Sequence, residues 1–248
     1  MFRLIKFVFR SLSVIIALIA IGLGYLKLDQ VNRQKFFAKF LSSISNVNNT
    51  DMMNIRCQKV LDPNNVYGDI LEIGAGTGIN FPCLYKNKKI RSYIGIEPNS
   101  HMKTYFHDFI KSYPADFEIR LMENSAADLS DVESNSVDTV IMTLVLCSVP
   151  DPLPTQILLE AHRVLKPGGK FLFLEHTLAD PNTAPLIYGF QRMIEPVWAI
   201  IGDGCRFKPM ANYFDDMKKV FSKVNYEKGK APIPLFFVKD ILTGQLIK

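Results

Sequence analysis

Three glycines at alternate positions, Gly74, Gly76 and Gly78, follow an acid, Glu72, at the end of a short apolar run, D-I-L-E-I-G-A-G-T-G-I-N-F over residues 69–81. Glycine lets the backbone adopt positive φ and lets a ligand approach the main chain closely. A loop of this kind is suited to cradling a small molecule against backbone amides. A dinucleotide fingerprint, G-x-G-x-x-G, would need glycine at position 79, where the chain has Ile79, and this disfavours a nucleotide-dependent dehydrogenase. Some twenty residues on, Glu97 closes the run Y-I-G-I-E-P-N. An acid there is placed to accept hydrogen bonds from two ribose hydroxyls. Taken alone, Glu97 before Pro98 also reads as a turn residue, and the glycines as a structural turn of some other α/β protein.

Further polar residues stand at the ends of apolar runs. Asp128, in N-S-A-A-D-L at 124–129, suits an adenine amino group with the Ala127 backbone against the ring, or else is a helix cap. Thr143 borders the centre of reaction or is a strand-end hydroxyl. His176 and Asp203 are the candidates for a general base, and for His176 a hydrogen-bonded core histidine is an equal reading. Cys205 as a methyl carrier is disfavoured. Trp198, with Phe190, Met193 and Ile194 on neighbouring turns, reads either as the cap of an apolar acceptor pocket or as plain core.

The elements that must position these residues alternate. Strand signals fall at 69–73, 93–97, 117–122, 139–144 and 170–175, with helical patterns over 102–113 and 153–165. This alternation predicts a doubly wound, mostly parallel sheet, in which ligands bind at the carboxyl ends of the strands. Lys166-Pro167-Gly168-Gly169 is a helix stop and turn. Helices are expected over 184–201 and 212–221, and two closing strands over 223–227 and 234–242 form an antiparallel hairpin. Ahead of the sheet, a helix is expected around 52–61.

Ser11 to Leu26 contains no charge. As a helix these sixteen residues span about 24 Å, a little short of the roughly 30 Å hydrocarbon core, and Phe7 to Phe9 extend the stretch. A retained membrane anchor over residues 7–26 is the favoured reading, and a cleaved signal peptide with a small-residue site at Gly22 and Gly24 is the rival. Basic residues at both ends leave the orientation open. Val31 to Ile44 has helical apolar spacing with basic residues between, and reads as a surface-lying membrane helix or an ordinary packing helix.

Of the formal charge of +5, residues 1–40 hold a net +6, which leaves −1 for the remaining 208 residues. A near-neutral body excludes a nucleic-acid-binding surface. The four cysteines, Cys57, Cys83, Cys147 and Cys205, show neither C-x-x-C nor metal-ligand spacing; Cys147 reads as a buried free thiol. They favour a reducing compartment and carry no metal site. Asn48-Asn49-Thr50 is a lone glycosylation triplet. Three units are expected: an anchor over 1–28, a linker with amphipathic helices over 29–66, and a catalytic domain over 67–248.

The pattern E-x-G-x-G-x-G resembles the nucleoside-binding loop of class I S-adenosylmethionine-dependent methyltransferases. T-L-V-L-C-S-V at 143–149, R-V-L-K-P-G-G-K-F-L-F-L-E-H at 163–176 and E-P-V-W-x-x-I-G-D-G-C at 195–205 narrow the resemblance. Together they resemble the membrane-anchored methyltransferase-like family of alkyl thiol S-methyltransferases, and the likeness runs over nearly the whole chain. It implies a Rossmann-like class I methyltransferase fold, a seven-stranded mostly parallel sheet with an antiparallel last strand behind an N-terminal hydrophobic helix. It also implies S-adenosylmethionine as cofactor, held by Glu72, Gly74, Gly76, Gly78, Asn80, Glu97, Pro98, Ala127, Asp128 and Thr143. The reaction implied is methyl transfer to a thiol or sulfide, giving a methyl thioether and S-adenosylhomocysteine, with a small, lipophilic thiol as the partner. The implied location is the endoplasmic reticulum membrane or lipid droplets, with the catalytic domain facing the cytosol. Two departures stand out: Ala127 replaces a usual acid beside Asp128, and Ala75 replaces a common cysteine. A methyltransferase acting on a lipid or quinone oxygen or carbon, and a membrane scaffold without turnover, are the alternatives.

Overall fold

The computed structural model describes residues 2–45 and 50–248; the side-chain surroundings of residues 2–13, 16, 45 and 50 are outside the description. The chain order is α1 (Phe2–Leu28), α2 (Gln30–Ser45), α3 (Thr50–Asn54), a π-helical segment (Ile55–Val60), β1 (Gly68–Ile73), α4 (Phe81–Leu84), β2 (Ile90–Ile96), α5 (Met102–Ile110) and β3 (Glu118–Met122). It continues with β4 (Val137–Thr143), α6 (Leu153–Val164), β5 (Leu165–His176), α7 (Pro185–Ile201), α8 (Met210–Asp216), β6 (Lys223–Lys230) and β7 (Asp240–Ile247). The seven strands form one sheet in the order β3-β2-β1-β4-β5-β7-β6. The first five pair in parallel, and β7 runs antiparallel to both β5 and β6. This is the doubly wound architecture expected from the alternation, with its order reversing between β1 and β4.

Strand alternation divides β1 between two cores. Leu71 and Ile73 face a cluster with α6 and α8, including Leu158, Ala161, Phe173 and Phe214. Ile70 faces the other way, toward Val60, Phe81, Leu84, Tyr93 and Phe106. Glu72 shares the parity of Ile70, so its carboxylate enters the second core. In α6 the buried side chains Pro154, Ile157, Leu158, Ala161 and Val164 recur at three- and four-residue steps, one stripe of an amphipathic helix. Pro154 in its first turn suits a helix start, where the missing N–H has no partner to lose.

The closing strands differ from expectation. The last strand occupies 240–247 rather than 234–242, and it lies inside the sheet between β5 and β6. Pro232 and Pro234 explain the shift: each lacks an N–H for a ladder, so 231–239 is a connection rather than a strand. Helix α8 ends at Asp216 and passes into a single 3₁₀ turn, Met217–Lys219, short of the expected end at 221.

The cysteines also depart from the sequence reading. Cys57 and Cys83 form a disulfide, tying the π-helical segment to α4. They therefore lend no support to a reducing compartment. Cys147 and Cys205 are buried free thiols, with their sulfurs 2.8 Å apart. Neither relationship was legible from spacing, because the partners are 26 and 58 residues apart.

Among the described residues no helix is long and apolar enough to cross a membrane. The expected anchor over residues 7–26 lies in part outside the residues whose side chains are described, as do Asn48 and Asn49 of the glycosylation triplet. Helix α2 packs onto the body, burying Ala38 completely while Phe36, Phe40 and Ile44 stay exposed.

Candidate active site

The carboxyl ends of β1, β2 and β4 converge on the glycine loop. Gly74, Gly76 and Gly78 all have positive φ (70°, 54° and 83°), a conformation that side chains resist. At Gly74 a Cβ would stand 2.4 Å from a methyl group of Val145, so only glycine fits where the loop crosses the start of the β4–α6 connection. The Gly76 amide donates to Glu97 Oε2 at 2.9 Å, while Glu97 Oε1 accepts from the Asn99 amide at 2.9 Å. Glu97 is thus fixed at the end of β2 by two backbone donors, although burial raises its pKa from the ordinary carboxylate value. Pro98 beside it is exposed.

Beneath the loop lies a buried polar cluster. Asn80 accepts from Arg56 Nη1 at 2.7 Å through Oδ1, and through Nδ2 donates to Glu72 Oε1 at 2.7 Å and to Thr143 Oγ1 at 2.9 Å. Arg56 Nη1 also donates to Thr143 Oγ1 at 2.9 Å, and the Tyr93 hydroxyl donates to Glu72 Oε2 at 2.5 Å. Each of these five side chains is at most 7% exposed. Desolvation pushes Glu72 up to about 7 and lowers Arg56 to about 10. Arg56 escaped the sequence reading. Its signal was a charge in the stripe Met52, Arg56, Val60, where four-residue spacing would put an apolar side chain.

On the other side of β2, Ala127 is buried, and its carbonyl accepts from Gln156 Nε2 at 2.8 Å. Asp128 is exposed, and its Oδ1 accepts from the Ser130 amide at 3.1 Å, which lowers its pKa. It therefore holds the local turn and remains open to a ligand.

The two base candidates sit in different surroundings. His176 ends β5 with Nδ1 buried and without a partner, and burial lowers its pKa to about 4, so the ring is neutral near pH 7. Asp203, at a φ of 46° in the Gly202–Cys205 turn, accepts from Arg33 Nε of α2 at 2.9 Å. Its charge also reaches Glu97. Asn99 Nδ2 donates to the Gln34 carbonyl at 3.1 Å, and Leu41 is the first side chain that a Cβ on Gly76 would meet. Helix α2 thereby covers the loop. Trp198 is half-buried and packs its ring on Phe207 and Phe237, and Phe190 packs on Phe236 and Phe237. Met193 points outward, 69% exposed, so it does not join them.

Residues 71–173 match the family model described as a methyltransferase domain. The chain is 32% identical over 180 residues to the rat protein Thiol S-methyltransferase TMT1B, covering 72% of this chain and 70% of that one. It shows the same identity and coverage against human Thiol S-methyltransferase TMT1A. The chain belongs to the thiol S-methyltransferase family.

Solved structures agree on the fold of this methyltransferase. A methyltransferase from Methanosarcina mazei, titled SAM-dependent, superimposes with a TM-score of 0.58 at 19% identity, over 75% of this chain and 95% of its own. One from Thermotoga maritima, titled a possible histamine N-methyltransferase, gives 0.59 at 20%, over 86% and 98%. Both of those structures are titled SAM-dependent methyltransferases. The site suits S-adenosylmethionine: the loop offers a cradle that a Cβ would fill at Gly74, an acid closes β2, and polar side chains gather where the sheet is otherwise apolar.

Proposed function

We propose that this protein transfers the methyl group of S-adenosylmethionine to a small, lipophilic thiol at a membrane surface. The observation that carries the thiol acceptor is the 32% identity, over 180 residues, to relatives named thiol S-methyltransferases. Glu97 takes the ribose hydroxyls, Ala127 and Asp128 the adenine, and Glu72, Gly74, Gly76, Gly78, Asn80 and Thr143 the remainder. Pro98 sets the turn after Glu97. S-adenosylmethionine supplies a methyl already activated on a sulfonium, so the protein contributes chiefly alignment. A thiol of pKa about 8.5 is partly thiolate at neutral pH, and a strong base is not required. A neutral His176 accepts a hydrogen bond without taking a full proton, while Asp203, tied to Arg33, orders the cover over the loop.

Residues 1–28 are read as the anchor, 29–66 as the connecting helices and 67–248 as the catalytic domain, on endoplasmic reticulum or lipid-droplet membranes. The uncharged run at 11–26 and the exposed Val14, Ile15, Leu18 and Ile19 support this reading. Deleting residues 1–28 should move the protein from the membrane pellet to the soluble fraction. A deletion product that still pellets would transfer the membrane contact to α2. For the chemistry, an acceptor panel of alkyl thiols, phenols and quinols with labelled cofactor is decisive. Methylation confined to oxygen or carbon acceptors would remove the thiol assignment.

A further inference from the structure

Two thiols meet beside the site without a part in methyl transfer. The Cys205 thiol donates to the Cys147 sulfur at 2.8 Å, and the Trp198 indole donates to Cys205 at 3.3 Å. Both are buried, Cys147 at 3% exposed and Cys205 at 7%. Their backbones are joined as well: the Arg206 amide donates to the Cys147 carbonyl at 2.8 Å, and the Ser148 hydroxyl donates to the Gly202 carbonyl at 3.4 Å. Main chains paired by such a bond lie about 5 Å apart, inside the roughly 4.4–6.8 Å Cα separation that a disulfide spans. The sulfurs need approach by only about 0.8 Å to reach the ~2.05 Å of an S–S bond.

The two cysteines belong to segments that meet at the cofactor loop. Cys147 follows Val145, whose methyl group excludes any side chain at Gly74. Cys205 closes the turn that carries Asp203, whose carboxylate accepts from Arg33 of α2 and whose charge reaches Glu97. Asp203 holds a positive φ of 46°, which a side chain resists, so the turn has a relaxed alternative. A bond between the sulfurs would fasten that turn, and with it the cover formed by α2, to the segment under the glycine loop. We propose that Cys147 and Cys205 are a redox site, closed to a disulfide by hydroperoxides, and that closure slows exchange of the cofactor and its product.

The hydrogen bond from Cys205 and burial raise the Cys147 pKa well above the ordinary thiol value, which leaves the more exposed Cys205 as the sulfur oxidised first. Its sulfur takes an oxygen from the peroxide as the O–O bond breaks, giving a sulfenic acid and one water from hydrogen peroxide. Attack by the Cys147 sulfur then forms the S–S bond, and the sulfenic hydroxyl leaves with the Cys147 proton as a second water. Two thiols lose two hydrogens and two electrons, and the peroxide takes up both.

The experiment treats the full chain in detergent with hydrogen peroxide, then unfolds it, alkylates free thiols and maps the peptides. Before treatment Cys147 and Cys205 should both be alkylated; afterwards they should appear as one cross-linked peptide pair, restored to thiols by reductant. Dissociation of S-adenosylhomocysteine should slow about fivefold on oxidation. Cys147→Ser should keep the untreated rate and lose the response, and Cys205→Ala is the second variant should the first not fold. Thiols that stay alkylatable, or oxidised further to sulfinic acid without a cross-link, would overturn the site. A cross-link that leaves dissociation unchanged would overturn its control of exchange. This readout rests on the cofactor reading above, and failure of untreated protein to bind S-adenosylhomocysteine would remove that reading while the cross-link is still scored.

Discussion

Asn80 stands between Arg56 and Glu72, accepting from one at 2.7 Å and donating to the other at 2.7 Å. One neutral amide thus keeps two opposite charges apart while satisfying both. Replacing the amide by an isosteric apolar group, Asn80→Leu, strands a buried guanidinium donor and a carboxylate oxygen. Stability should fall by about 2–4 kcal/mol, measured by urea unfolding. A loss under about 1 kcal/mol would mean that water substitutes for the amide.

Glu72 titrates near the working pH. Burial raises its pKa to about 7, so it is protonated below that value and ionised above. An ammonium binds the ionised form better. Affinity for S-adenosylhomocysteine should therefore rise with pH, up to about tenfold between pH 6 and 8. 5′-Methylthioadenosine, which has no ammonium, should show no such rise. Glu72→Gln should flatten the profile, and a retained slope in that variant would assign the titration to another group.

Glu175 carries a different cost. Its Oε1 accepts from the Val145 and Leu146 amides at 2.8 and 3.2 Å, but Oε2 is buried without a partner. Desolvation pushes its pKa up to about 8. A carboxyl raised on folding contributes stability below its unfolded pKa, about 4.3, and that contribution is lost as pH rises through the folded value. Glu175→Gln keeps a carbonyl for the two amides and cannot ionise. It should stabilise the protein by about 1–3 kcal/mol at pH 8 and by little at pH 5. Equal effects at both pH values would show that Glu175 does not change its ionisation there.

The Cys57–Cys83 bond closes a loop of 26 residues. Substituting both residues by serine should cost about 2–4 kcal/mol, read from thermal unfolding without reductant. An unchanged melting temperature would show that the bond is not formed in solution.

The sheet was legible because its strands are apolar runs bounded by turn residues, and runs of this kind are set locally. Glu97 was legible because the chain brings it to the loop at a fixed spacing across one β-α-β unit. Arg56 was not, since a charge inside a helical stripe gains meaning only when Asn80 and Thr143, 24 and 87 residues away, fold against it. The same holds for Cys57 with Cys83, where separation along the chain conceals the pairing. The end of the chain was misplaced because Leu235 to Val238 reads as strand by composition, while Pro232 and Pro234 deny it a ladder. The cover formed by α2 was equally hidden, its contacts resting on Arg33 with Asp203 and Gln34 with Asn99.

One assay decides whether the methyl group goes to sulfur. Full-length protein in detergent is given methyl-labelled S-adenosylmethionine and an alkyl thiol, and both products are quantified. Labelled methyl thioether and S-adenosylhomocysteine should form in equal amounts. Glu97→Ala, which removes the acceptor for the Gly76 and Asn99 amides, should lower cofactor affinity by at least about tenfold and abolish turnover at low cofactor concentration. Tight cofactor binding with no thioether formed from any thiol offered would rule out sulfur as the methyl acceptor.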